Sequence, residues 1–185
     1  MRTLSLVLCA SAIAGIAGDA HADGFTLESA SFGSNATLAT KYVYNQGDCK
    51  GGNVSPELHW IDAPEGTQSF AVTLYDPDAR GGSGWWHWLV FDIDAKTTSL
   101  EPGAGSGMGS TTPPGSISGT NSFGDLGYSG PCPPRGDEPH RYVFTVYALR
   151  TEKLGLPQGA DPDTIKQALE ANTLLSASLQ ARYGR

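Results

Sequence analysis

The sequence has 185 residues, 39% of them hydrophobic and 17% charged, and 12 Lys and Arg against 19 Asp and Glu give a formal net charge of −7. That length suits one domain burying roughly 70% of its unfolded surface, which excludes wholesale disorder and a core that needs metal merely to fold. The acidic balance, with no two Lys or Arg adjacent, argues against nucleic acid or an anionic membrane surface as the main partner.

The chain opens with Met1 and Arg2, an apolar run from Leu4 to Ala17, and the small-x-small triplet Ala20-His21-Ala22. This is the pattern of a secretory signal peptide over residues 1–22, leaving one domain over 23–185 and an exported protein, periplasmic or secreted. The apolar run is shorter than the roughly 20 residues a spanning helix needs, and no later segment is longer, so no integral membrane segment is expected. Cleavage would remove Cys9 and leave Cys49 and Cys132. In an oxidising compartment such a pair suggests a disulfide, although two separate thiols fit the count equally well.

Strands are expected at Phe25 to Phe32, Phe70 to Asp76, His87 to Ile93 and Tyr142 to Leu149, where β-branched and aromatic residues concentrate. FAVTLYD and YVFTVYAL are almost continuously apolar, as central strands covered on both faces are. Shorter strands are expected at Lys41 to Tyr44 and Leu58 to Trp60. Between Gly103 and Gly130 the composition turns to Gly, Ser, Thr and Pro, a long loop that Phe123, Leu126 and Tyr128 would anchor over a site. Asp161-Pro162 then starts a helix, with Ile165, Ala168, Leu169, Asn172, Leu175 and Leu179 at three- and four-residue spacing and Gly184 stopping it.

Three stretches carry chemistry. Asp76-Pro77-Asp78-Ala79-Arg80 places two carboxylates at a strand end, where turn capping is the plain alternative to a site. Trp85-Trp86-His87-Trp88 opens the next strand, and alternation puts His87 on the face opposite Trp86 and Trp88, free to enter a cavity. Gly130-Pro131-Cys132-Pro133-Pro134-Arg135-Gly136 is a stiff loop suited to a pocket rim, followed by His140 and Arg141 on opposite faces of a strand.

DPDA, WWHWLVFDI and GYSGPCPPRGDEPHRYVFTVYAL occur in that order, together with GGNVSPELHW, NSFGDLGY and a terminal ARYG. In these the chain resembles the phosphatidylethanolamine-binding protein family, in its bacterial Raf-kinase-inhibitor-like branch, over nearly all of residues 23–185. The resemblance implies a mainly β fold, an antiparallel Greek-key-like β-sandwich with peripheral helices including a C-terminal one. It also implies a small pocket for phosphate, acetate or a phospholipid headgroup. Carried over, that pocket is lined by Asp76, His87, Gly130, Pro131, Cys132, Pro133, Pro134 and His140, with Asp78 and Arg141 in support. The family also places the loops of Cys49 and Cys132 near one pocket mouth, which favours their bridge. One departure is Arg80, where the family often has proline.

Two imidazoles and loop N–H groups can hold an anion beside a carboxylate. The sequence has no nucleophile elbow, phosphate-cradling glycine loop or metal-ligand spacing, so recognition of a small anionic or phosphorylated ligand is favoured over catalysis, with no cofactor. The alternatives are a hydrolase using the Asp and His groups, or Asp76, His87 and His140 holding a metal. Inhibition of a protease or kinase through exposed loops is a third, and it leaves a protein partner open.

Overall fold

The computed structural model describes residues 24–106 and 112–185. The expected signal peptide lies outside them. Two antiparallel sheets carry the fold. The smaller has the order β1-β2-β5, from Thr26–Glu28, Leu58–Ile61 and Ser99–Leu100. The larger has the order β6-β4-β3-β7-β8, from Ile117–Ser118, Trp85–Asp94, Ser69–Asp76, His140–Leu149 and Thr173–Tyr183. A single kinked turn, α1 (Ala79–Gly82), follows β3, and the helix α2 (Pro162–Asn172) precedes β8.

The core lies between the sheets. Leu27, Leu58 and Trp60 of the smaller sheet meet Phe70, Val72, Leu74, Trp88, Tyr142 and Phe144 of the larger. A second cluster covers the outer face, where Ala71, Leu89, Phe91 and Leu149 pack against Ile165 and Leu169 of α2. Strand β3, central and clothed on both sides, is buried at seven of its eight residues, which is why its sequence does not alternate. Asp161 caps α2 as its spacing implies, accepting from Thr164 N at 2.9 Å.

The helix ends earlier than its periodicity predicts. Beyond Asn172 the chain runs as β8, paired along its length with β7 from Thr173 to Tyr183. Leu175, Ala177, Leu179, Ala181 and Tyr183 also recur at a spacing of two, and Ala177, Leu179, Ala181 and Tyr183 join the inter-sheet core. The same leucines satisfy both periods, and the vacant edge of β7 decides between them.

Two expected strands are also corrected. Of Phe25 to Phe32 only Thr26–Glu28 pairs, because Ser29 Oγ donates to the Glu57 carbonyl and Ser31 N to Ser29 Oγ, side-chain bonds that take the chain out of the ladder. Lys41 to Tyr44 is no strand. It is a 3-10 turn at Thr40–Tyr42 followed by backbone that bonds to loops, Tyr44 N to the Pro131 carbonyl and Gly51 N to the Tyr44 carbonyl.

His59 of β2 stands opposite Glu28 of β1. Its Nδ1 lies 2.8 Å from Glu57 Oε1 and its Nε2 3.5 Å from Glu28 Oε2. The hydrogen bond to Glu57 raises the imidazole above its ordinary 6.5, burial opposes it, and the charges of Glu57 and Glu28 add to the rise. A raised folded value means that the contribution is complete below the unfolded value and is lost as pH rises through the folded one. Urea denaturation across about pH 5 to 8 should show this decline, and His59→Gln should flatten it. An unchanged profile in the variant would remove His59 from the account.

Candidate functional site

At one end of the larger sheet, β3 runs into α1, β4 begins and β7 begins, so Asp76, His87 and His140 meet there. Asp76 is 2% exposed and both of its oxygens accept hydrogen bonds. Oδ1 accepts from Asp78 N at 2.9 Å and Ala79 N at 3.1 Å, while Oδ2 accepts from His140 Nδ1 at 2.8 Å. The carboxylate therefore shapes the turn and fixes the His140 ring, with Nδ1 as the protonated nitrogen. His140 Nε2 stands 3.5 Å from Asp137 Oδ2.

His87 sits at a bulge. Leu74 pairs with Trp88 and Tyr75 with Trp86, so His87 is the extra residue between them. Trp86 consequently packs in the outer cluster, whereas Trp88 enters the inter-sheet core. His87 stacks edge-on against Tyr142, a member of that same core. The expected alternation thus holds against Trp86 and fails against Trp88, because one inserted residue resets the faces. His87 Nδ1 lies 2.6 Å from the Ser129 carbonyl. A carbonyl only accepts, so Nδ1 carries the proton. Burial pushes the imidazole down to about 4, with Ser129 and Asp76 opposing in part. It is neutral near pH 7.

These groups line a cavity of about 230 Å³ closed by Trp85, Phe123, Cys132, Pro133, Pro134 and Tyr142. Trp85 of the wall carries a buried donor without a hydrogen-bond partner, Nε1, and the Tyr142 hydroxyl is turned to Asp76. Burial first, then Asp76, raises the Tyr142 phenol far above its ordinary range, so it keeps its proton. Arg80 lies at the rim with its guanidinium 4.3 Å above the Trp85 ring. Its φ of 52° is a left-handed conformation that a side chain adopts at a cost. That placement puts one cation at the mouth.

Of the residues that the sequence points to, Asp76, His87, Cys132, Pro133, Pro134 and His140 come together around the cavity. Gly130 and Pro131 are not among the residues that line it. Gly130 N donates to Asn53 Oδ1 at 2.8 Å, and a Cβ at Gly130 would lie 2.1 Å from the Tyr42 carbonyl oxygen, so only glycine fits there. Asp78 and Arg141 form a forked pair, with Arg141 Nη2 2.7 Å from Oδ1 and Nε 3.0 Å from Oδ2. The guanidinium holds the Asp78 carboxyl down to about 2. Cys49 and Cys132 form a disulfide that ties the rim to the 45–52 loop. Arg185 reinforces the same junction, Nε donating to the Pro133 carbonyl at 2.6 Å and Nη1 to the Asp48 carbonyl at 3.2 Å.

The sequence does not single out Trp85 and Tyr142 as cavity-lining residues, since both read as core aromatics. Nor does it point to the polar network behind His87. Asn121 Nδ2 donates to the Gly127 carbonyl at 3.1 Å and Ser129 Oγ at 2.9 Å, and Asp125 Oδ2 accepts from Ser129 Oγ and from Tyr44 Oη. This network fixes the carbonyl that orients His87. Phe123 and Tyr128 anchor the loop as expected, against Tyr44 and Trp88 respectively. Leu126 does not, being 47% exposed. Among the described residues, no three His, Cys, Asp or Glu side chains are grouped so as to hold a metal ion.

The family model for phosphatidylethanolamine-binding protein matches residues 28–184. The chain is similar to the UPF0098 protein YbcL of Escherichia coli strain K12, with 42% identity over 183 residues that cover 99% of this chain and 98% of YbcL. The crystal structure of E. coli YbcL, described as a new member of the mammalian PEBP family, superposes with a TM-score of 0.84 at 43% identity. It covers 87% of this chain and 98% of that one. LppC of Mycobacterium tuberculosis strain H37Rv, named as a lipoprotein, is 39% identical over 161 residues, which cover 87% of this chain and 71% of LppC.

Proposed function

The chain belongs to the phosphatidylethanolamine-binding protein family, and from that premise we propose that it is an exported binding protein whose cavity takes a small phosphoryl-bearing anion. The observation that carries this reading is a cavity with room for one such group, with the Arg80 cation at its rim and, in a residue of its wall, Trp85 Nε1 as a buried donor without a hydrogen-bond partner. An uncoupled buried donor costs about 1–3 kcal/mol, and an anionic oxygen is the acceptor that recovers most of it. Arg80 at the rim supplies attraction.

Calorimetric titration with inorganic phosphate is expected to show saturable binding. Trp85→Phe should weaken it by about 1.5–3 kcal/mol, the worth of a hydrogen bond to a charged group. No heat with the native protein, or unchanged affinity in the variant, would overturn the reading. Among the described residues lining the cavity there is no Ser or Thr, and the Cys132 sulfur is held in the disulfide. Catalysis would therefore fall to water activated by the Asp76–His140 pair, and phosphate released from methyl phosphate would move the protein to the hydrolases.

Export rests on the leader sequence, on a disulfide suited to an oxidising compartment, and on a relative named as a lipoprotein. Mass spectrometry of the periplasmic fraction should find a chain beginning at Asp23. A cytosolic, full-length product would overturn this.

A further inference from the structure

We propose that the bare edge of β8 pairs with the same edge of a second copy of this chain, joining two large sheets antiparallel about a twofold axis at Ala177. The proposal is independent of the phosphoryl reading, because the cavity lies where β7 begins, opposite the Tyr183 end of β8.

The backbone leaves this edge open. Strand β8 is the last of its sheet and pairs on one side, with β7. Its other side is met near its end, where Asn35 N donates to the Gln180 carbonyl at 2.7 Å, Leu38 N to the Arg182 carbonyl at 2.9 Å and Arg182 N to the Ala36 carbonyl at 2.9 Å. Successive residues of an antiparallel strand turn their N–H and C=O groups to alternate sides, so the even-numbered residues bond outward. Ser176 and Ser178 therefore present their N–H and C=O groups on that side, and among the described residues no backbone group meets them there. Both serines are exposed. A register shift opposite Ala148 and Leu149 sets Leu174 out of the ladder. The regular free edge thus runs from Leu175 to Leu179, centred on Ala177.

Side chains say what fits it. Edge strands are ordinarily protected by charge, proline or a bulge, and Thr173 to Ala181 holds no charged residue and no proline. Leu175 is 51% exposed at the head of the free stretch. Leu175-Ser176-Ala177-Ser178-Leu179 reads the same in both directions. Two copies related by a twofold axis run antiparallel, and an axis at Ala177 sets Ala177 against Ala177, Ser176 against Ser178 and Leu175 against Leu179 of the second copy. The outward serines become the pairs that exchange backbone bonds. The leucines fall in the close, non-hydrogen-bonded pairs, where Leu175 of one copy is covered beside Leu179 of the other. A chain of net charge −7 repels its own copies, and along this stretch contact brings no like charges together.

Sedimentation velocity of the purified protein from about 1 μM to about 1 mM should show a concentration-dependent dimer, weak because so short an edge makes a small interface. Over the same range, hydrogen exchange at the Ser176 and Ser178 amides should slow as concentration rises, while the β8 amides already bonded to β7 should change little. Ser176→Lys/Ser178→Lys sets like charges opposite each other and should weaken the dimer at least about tenfold. Ser176→Lys/Ser178→Glu sets Lys against Glu at both serine pairs and should hold the dimer at least as tightly as the native chain. A native protein that stays monomeric at about 1 mM overturns the proposal. So does a dimer whose Ser176 and Ser178 amides exchange equally fast at every concentration, since its interface then lies elsewhere. Equal dimerisation by the two variants overturns the Ala177 register and the proposal with it. Should the doubly basic variant fail to fold, amide exchange in the native protein decides alone.

Discussion

Reduction of the Cys49–Cys132 bridge is expected to lower stability by about 4.5 kcal/mol, the chain-entropy cost for a loop spanning the 83-residue separation, without abolishing the fold. The fold survives because neither cysteine belongs to the two clusters, which strands and α2 mainly supply. The bridge instead joins Cys132 of the cavity rim to the 45–52 loop. Phosphate affinity should therefore fall alongside the melting temperature. Denaturation of the Cys49→Ser/Cys132→Ser variant measures the first effect and calorimetry the second. A loss below about 1 kcal/mol would show that the unfolded chain is already restricted by other means.

Asp76→Ala should cost about 3 kcal/mol or more, because Asp78 N, Ala79 N and His140 Nδ1 lose one acceptor residue together, at about 1–3 kcal/mol for each donor left buried. The half-buried Asp78 and Ala79 regain some of this from water. Asp76→Asn separates shape from charge. Its amide oxygen can still accept the two backbone bonds, but its NH₂ faces His140 Nδ1, which must then surrender its proton to Nε2. Nitrogen chemical shifts of the His140 ring should report that exchange of tautomer, with much of the stability retained. An Asn variant as unstable as the Ala variant would show that the negative charge, rather than the acceptor geometry, holds the turn.

The large sheet was legible because β3 and β4 bury both faces for most of their length, and a run such as FAVTLY, almost continuously apolar yet too short for a buried helix, suits a strand covered on both sides, whereas β7 buries every second residue and leaves most of the others half-buried. The resemblance in DPDA, WWHWLVFDI and the proline-rich loop likewise led to the residues that meet at the cavity. What stayed hidden depends on partners far along the chain. Leu175 and Leu179 fit a helix as well as a strand, and only the open edge of β7 resolves them. The direction of Trp88 depends on one extra residue in β4, which no local pattern announces. Trp85 and Tyr142 look like core aromatics, and only the folded chain shows that both line the cavity.

Arg185 has a practical consequence for anyone handling the protein. Its side chain grips the Pro133 and Asp48 carbonyls, and its own carbonyl accepts from Gly136 N at 3.1 Å. Any affinity tag or fluorescent fusion attached after this residue begins within reach of the cavity mouth. A polyhistidine tail there would bring its own imidazoles, and the nickel or phosphate they retain, to a site whose titration is under measurement. Carriers, labels and surface tethers belong at the other end of the domain, ahead of β1.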